Sequence, residues 1–276
     1  MAPPKFPNGL NLYHIGFATL KYPELAPGLP VPLNNIVGAL QHEPKLAQNH
    51  QVVQIASQYL DTLMAQQTSR DVATLNDPAS DQYYFSRPLL LLNFLTANPD
   101  VCKRIAAHPA LVNELVEKML APDFHDNMKA AARPSLGGFP PEDFADAFGS
   151  VLQFLSTMLL YQDLMPAVNP RLKDLIPKLG EWEKTYKHSR VAVIRDASAR
   201  LVSQINGMNP PLISMMRKMQ EGTLCCGVVS CTLRGADKLT VCGVCKIQRY
   251  CGKEHQKADW KYHKHICAKG LVEPAA

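Results

Sequence analysis

Residues 225–267 read CCGVVSCTLRGADKLTVCGVCKIQRYCGKEHQKADWKYHKHIC, and this stretch holds seven of the chain's eight cysteines. Its potential metal ligands form an ordered series: Cys226-x4-Cys231, ten residues, Cys242-x2-Cys245, five residues, Cys251-x3-His255, seven residues, His263-x3-Cys267. Thiols spaced two to four apart and interleaved with histidines are the donor set of structural zinc. Eight ligands make two tetrahedral sites, and four protein ligands per ion leave no position for a reacting water. The pairs can be joined in sequence order or interleaved, and spacing alone permits both. Cys225 stands beside Cys226 and competes with it for the first position, as His265 does with His263.

The compartment supports metal over disulfides. The opening residues MAPPKFPNGL have no apolar core of a secretory signal. The expectation is a reducing location, cytoplasm and/or nucleus, where thiols stay reduced. The densest apolar runs, Leu89 to Leu95 and Val151 to Tyr161, are too short or too polar to span a bilayer. Cys102, alone in an apolar helical context, reads as a small buried hydrophobe.

The run Cys242-Gly-Val-Cys245-x4-Tyr250-Cys251-x3-His255-Gln256-x2-Asp259-Trp260-x2-His263-Lys264-x2-Cys267 resembles the MYND zinc finger, over about residues 226–267. The resemblance implies an interleaved, cross-braced pair of sites, Cys226, Cys231, Cys251 and His255 in one and Cys242, Cys245, His263 and Cys267 in the other. It favours Cys226 over Cys225, because x4 is a known spacing of the first pair. The D-W-x2-H spacing points to His263 rather than His265. Two departures stand out. The first pair is spaced x4 where x2 is commoner, and His255 occupies a position more often held by cysteine. Imidazole is an ordinary zinc ligand, and members with both features resemble fungal ones. The resemblance further implies that short proline-rich peptides of P-x-L-x-P type dock beside the helical turn from Glu254 to Asp259, where Gln256 and Trp260 lie four apart on one face. An exposed indole suits proline. The competing reading is that Trp260 fills the finger's small core.

The finger's large apolar residues are few: Leu239, Val241, Ile247, Tyr250, Trp260, Tyr262 and Ile266. Ordering each residue costs roughly 1–2 kcal/mol. Structural zinc contributes an apparent ~10–16 kcal/mol per site, so the finger is expected to need its metal to fold.

The rest of the chain is read as helical. With 276 residues, 46% hydrophobic and 19% charged, it has the composition of a packed globular protein. Residues 1–33 carry seven prolines and read as an extended arm. Residues 34–220 show one-faced apolar stripes: Val52, Ile55, Tyr59, Leu63; Leu111, Leu115, Met119; Phe144, Phe148, Val151, Leu155, Leu159; and Val191, Ile194, Ala197, Leu201, Ile205. Asn98-Pro99-Asp100 and Asn169-Pro170 are start signals, and Ser189 can cap a helix beginning at Arg190. Pro177 should split or kink the segment from Leu172 to Tyr186. Residues 121–141, with four prolines and two glycines, read as a long surface loop. The segment NPDVCKRIAAHPALVNELVEKML looks like one armadillo-type unit, although no fixed period runs through the domain. Asn209-Pro210-Pro211-Leu212-Ile213 leads into a helix from Leu212 to Gln220, or offers a proline-rich ligand of its own. The expected architecture is thus mainly α: an irregular armadillo-like domain, then the two-zinc finger in residues 221–270 and a tail in 271–276.

No catalytic constellation accompanies this. There is no Gly-rich phosphate loop, no G-x-S-x-G elbow and no H-E-x-x-H helix. His14, His42, His50, His108, His125 and His188 are scattered singly, and Trp182 with Tyr186 reads as a core contact. The N-H-x-C and Gly-rich motifs of a MYND-bearing lysine methyltransferase are missing, since Asn49-His50-Gln51 lacks the cysteine. A RING-like ligase is also cross-braced but differs in ligand order. Nucleic-acid binding is the main alternative, on Lys246, Arg249, Lys253, Lys257, Lys261 and Lys264. From Glu221 onward there are nine Lys/Arg and five Asp/Glu, a formal +4. Two three-Cys, one-His zinc sites at about −1 each lower that to about +2, weak for a nucleic-acid surface. The expected function is a non-enzymatic, zinc-binding interaction adaptor. Its partners are other proteins, with roles in transcriptional regulation or as a ubiquitin-ligase adaptor implied by the resemblance.

Overall fold

The computed structural model of the protein describes residues 45–68, 76–78, 83–85, 87–131, 142–189, 192–264 and 267. The proline-rich segment 1–33, the tail 271–276, residues 132–141 and His265 lie outside them. The described part is mainly helical up to the cysteine-rich segment. The helices are α1 (Lys45–Gln67), α2 (Arg87–Leu95), α3 (Pro99–Ala106), α4 (Pro109–Leu120), α5 (Phe124–Ala131), α6 (Glu142–Leu159), α7 (Ile176–Thr185), α8 (Val193–Ile205), α9 (Pro210–Gly222) and α10 (Lys253–His263). The named strands are β1 (Thr240–Val241) and β2 (Arg249–Tyr250), paired antiparallel with Thr240 opposite Tyr250. No described helix is long and apolar enough to cross a membrane.

Local sequence explains most of these boundaries. Asn98 Oδ1 accepts the Asp100 N–H at 2.8 Å and caps α3, which Pro99 begins. The His108-Pro109 break then separates α3 from the longer α4, as the short-helix, long-helix reading expects. Asn169 caps a 3-10 turn over Pro170–Leu175 through the Arg171 N–H. Pro177 sits in the first turn of α7, so the proline splits the segment rather than kinking it. Two readings give way. The loop expected over 121–141 contains α5, because Phe124 and Met128, one turn apart, are both buried and reward helix formation despite the flanking prolines. Ser189 does not cap the next helix; α8 begins after Ala192, with no side-chain cap.

Backbone contacts group the chain into two compact units, one of residues 66–93 and 102–215, the other of residues 1–65, 94–101 and 216–276. The first is built around packed aromatic rings. Phe85 lies 4.6 Å from Phe124 between ring centres, Phe124 lies 5.2 Å from Phe148, and Phe148 meets Trp182 edge-on at 5.0 Å. Helix α8 packs against both α6 and α7. A Cβ at Gly149 of α6 would stand 2.6 Å from Val193 Cγ1, so only glycine permits that approach. Ser156 and Gln204 bridge α6 and α8 reciprocally: Ser156 Oγ donates to Gln204 Oε1, and Gln204 Nε2 donates to the Ser156 carbonyl, both at 2.8 Å. Lys178 Nζ donates to the Leu120 and Ala121 carbonyls at 2.9 and 2.6 Å, satisfying the end of α4. Cys102 is wholly buried, as a small hydrophobe should be.

In the second unit the cysteine-rich segment is grouped with α1 residues and with residues 94–101. Val52, Val53, Ile55, Ala56, Leu60 and Leu63 of α1 are all buried, more than one helical face can account for. Asn49 Nδ2 donates to the Thr223 carbonyl at 3.3 Å. Asp100 receives the Arg249 guanidinium side-on, Nε at 2.5 Å and Nη2 at 2.8 Å, with only 6% of the Asp100 side chain and 14% of the Arg249 side chain exposed. Helix α9 starts at Pro210 and buries none of its residues, with Leu212, Met215 and Met219 exposed.

The aromatic cluster carries a direct expectation for stability. Phe148→Ala removes a ring that contacts Phe124 and Trp182 and should cost about 3–5 kcal/mol, read as a lower urea midpoint by circular dichroism. A loss below about 1 kcal/mol would contradict the packing described.

Candidate metal centres

The finger is assembled from turns that aim sulfur inward. Cys242 N donates to the Gln248 carbonyl at 2.6 Å, closing the knuckle that carries Cys242 and Cys245. Within it Lys246 adopts φ 57°, a left-handed turn that lets the chain fold back. Gly227 N donates to the Arg249 carbonyl at 2.8 Å and fastens the Cys226 loop to β2. A Cβ at Gly227 would meet the Gln248 side chain at 2.6 Å and Tyr250 Cε1 at 2.8 Å, so the loop approaches closely only because that position has none. Helix α10 supplies His255 from its first turn and His263 from its last. Cys267 follows, its N–H donating to the His263 carbonyl at 2.8 Å.

The eight candidate ligands converge in two groups. Donor atoms of Cys226, Cys231, Cys251 and His255 lie within 4.8 Å of one another, and so do those of Cys242, Cys245, His263 and Cys267. The groups interleave along the chain. Cys225 takes part in neither: its Sγ lies 3.9 Å from His50 Nε2, and its backbone bridges Arg234. The Cys226 sulfur lies instead 3.4 Å from His255 Nδ1, so the adjacent cysteines meet different partners.

The distances suit zinc. Four ligands around one ion, with Zn–S near 2.3 Å, place sulfurs about 3.8 Å apart and sulfur about 3.5 Å from nitrogen. Cys231 Sγ and Cys251 Sγ are 3.8 Å apart, and His255 Nδ1 lies 3.4 Å from Cys226 Sγ and 3.0 Å from Cys251 Sγ. In the second group Cys242 Sγ and Cys267 Sγ are 3.8 Å apart, with His263 Nε2 3.6 Å from Cys245 Sγ. A disulfide needs sulfurs near 2.05 Å, and none of the eight cysteines forms one. Each cluster could hold one zinc ion.

The electrostatics agree. Burial pushes the Cys226 thiol up to about 11 and the Cys267 thiol up to about 12, with neighbouring thiols adding to the rise. The Cys226 and Cys267 thiols therefore stay protonated until a divalent cation offsets their charge, and loading releases their protons, whereas hydrogen bonds to Cys231 and Cys242 lower those two thiols. Burial also lowers His263 to about 4, so its imidazole is neutral, the form that ligates metal. Its Nδ1 is buried without a hydrogen-bond partner among the described residues.

Around the centres sits a small core of Leu239, Ile247 and Tyr250, all buried. Tyr250 Oη donates to Asp259 Oδ2 at 2.8 Å, fixing α10 on the hairpin. Trp260 is not part of that core: it is 44% exposed, its ring centre 5.9 Å from that of His263. Gln256, one turn earlier, is half-buried. Two contacts near the centres were not read from the sequence: Ser57, whose Oγ donates to Cys245 Sγ at 3.8 Å, and Asp100, read there only as part of a helix start, which holds Arg249. Neither carries a local signal; a lone serine in an apolar helix and an acid in a first turn have ordinary explanations.

The division between Cys225 and Cys226 is testable by elemental analysis. Wild-type protein and Cys225→Ser should each retain two zinc ions, and Cys226→Ser about one. Equal loss from both variants would contradict the geometry.

Residues 225–267 match the family model for the MYND finger, a zinc-binding protein-interaction domain. No curated protein and no solved structure matches the chain.

Proposed function

We propose that this protein is a non-enzymatic adaptor whose finger docks short proline-rich peptides of P-x-L-x-P type on the face of α10 that carries Gln256 and Trp260. The observation that carries the reading is the exposure of Trp260. The finger's interior is occupied by Leu239, Ile247 and Tyr250, each no more than 6% exposed, while the indole stands 44% open to solvent. An exposed indole on a rigid helix is costly to leave in water and well shaped for proline rings. Gln256, four residues earlier on the same face, offers amide groups for the peptide backbone. The two closed ligand sets favour a docking role over turnover, since closed tetrahedral zinc holds shape.

The helical part, armadillo-like in its short-helix, long-helix unit at residues 99–120, would present a second surface. An adaptor role in transcriptional regulation or ubiquitin ligation fits a protein with two such surfaces. Nucleic-acid binding draws less support. Of the six basic side chains that suggest it, Arg249 is committed to Asp100, and Lys257 Nζ lies 3.7 Å from Glu254.

Fluorescence polarisation with a labelled P-x-L-x-P peptide tests the reading on zinc-loaded protein. Trp260→Ala should weaken binding at least ~30-fold, the effect of an aromatic anchor worth about 2 kcal/mol, and Gln256→Ala should weaken it less. Absence of binding by the wild-type protein, or equal binding by Trp260→Ala, would remove the proposal. A gel shift that falls steeply with salt would instead favour nucleic acid.

A further inference from the structure

Helix α1 meets the finger along a single stripe. Asn49, Val53 and Ser57 recur every four residues, with His50 three before Val53, and so lie on one side of the helix. Asn49 bonds the Thr223 carbonyl, His50 lies against Cys225, and Val53 lines a small cavity with Leu224 and Cys225. The stripe ends at Ser57, which is 2% exposed, with its Oγ donating to Cys245 Sγ at 3.8 Å. Water cannot satisfy this hydroxyl, and the sulfur it reaches belongs to the second ligand cluster. Cys245 Sγ also accepts the Gln248 N–H at 3.5 Å.

A three-cysteine, one-histidine zinc centre carries about −1. Burying that charge is expensive unless donors are aimed at the sulfurs. The finger supplies backbone donors to Cys245 from Ile247 and Gln248, and a side-chain donor comes from a residue 188 positions away. The Asp100–Arg249 pair, also buried, holds β2 four residues beyond Cys245.

We propose that Ser57 is an outer-sphere positioning residue of the second zinc centre, so that helix α1 forms part of the metal site and the finger is not chemically complete within residues 225–267. The inference rests on the zinc reading of the finger and extends it. The hydroxyl fixes the Cys245 thiolate and draws off part of its charge. By linkage, metal binding at this centre and docking of α1 strengthen each other.

The test uses the full chain loaded with cobalt(II) or zinc. Wild-type protein is expected to bind two ions. Ser57→Ala, nearly isosteric, should weaken one of the two about 10–100-fold in competition with a chromophoric chelator. It should also move the thiolate-to-cobalt charge-transfer band to lower energy, because a sulfur that loses a hydrogen bond is a better electron donor. Ser57→Thr, which keeps the hydroxyl, should restore both affinity and band. Cadmium NMR of the loaded protein should show two resonances, only one of which responds to Ser57→Ala. Unchanged affinity and spectrum in Ser57→Ala would overturn the proposal: the hydroxyl would then be serving a helix carbonyl instead. Equal damage in Ser57→Ala and Ser57→Thr would overturn it as a packing effect. Fewer than two ions in the wild type would instead fail the zinc reading itself.

Discussion

Cross-bracing is the constraint on which the finger depends. One cluster draws on Cys226, Cys231, Cys251 and His255, the other on Cys242, Cys245, His263 and Cys267. Each loop that serves one centre is therefore bounded by residues of the other. Closing either centre therefore draws together loops that also carry ligands of the other. The hairpin contributes only two residues per strand, too little to hold by itself. A zinc ion in each cluster would supplement the small core of Leu239, Ile247 and Tyr250, and the short strands and α10 keep the eight candidate donor atoms in register.

The finger also leans on elements far away in sequence. Asp100 sits in the first turn of α3, where a carboxylate is favoured by the helix dipole, and its two oxygens take the Arg249 fork. Arg249 Nη1 further donates to the Leu239 carbonyl at 3.0 Å, tying the strand before the knuckle to the one after it. A buried bidentate pair of this kind is strongly disruptive to break from one side, because a charge is left unpaired in a dry site. Its consequence for function is subtraction: a cation that looks available in the sequence is spent on internal structure. The indole of Trp260 on α10, by contrast, stays outward.

Much of this was legible beforehand, for identifiable reasons. Metal-ligand spacing is a local property, set by how far a turn can carry one thiol from the next, so Cys242-x2-Cys245 and His263-x3-Cys267 announce their chemistry without tertiary help. Caps are equally local: Asn98 and Asn169 each bond an amide two residues on. Where local signals were outweighed, burial did it. Helix α5 lies in a stretch that prolines and glycines marked as loop, and two buried apolar side chains one turn apart decide otherwise. Ser189 offered a cap, but α8 begins after Ala192, beyond its reach.

The amino-acid order by itself determined the spacing of the candidate ligands (apart from the choice between Cys225 and Cys226), the likeness to an interleaved zinc finger and the helical character of what precedes it. These depend on spacing along the chain, and spacing survives in one dimension. Tertiary structure decided which of two adjacent cysteines joins a cluster, that Trp260 stays at the surface, that Arg249 is consumed by Asp100, and that a serine in α1 reaches Cys245 Sγ. Each is a question of direction or of contact across a long sequence separation. Such contacts exist only after packing has selected one face of each element, and no period or motif records that choice.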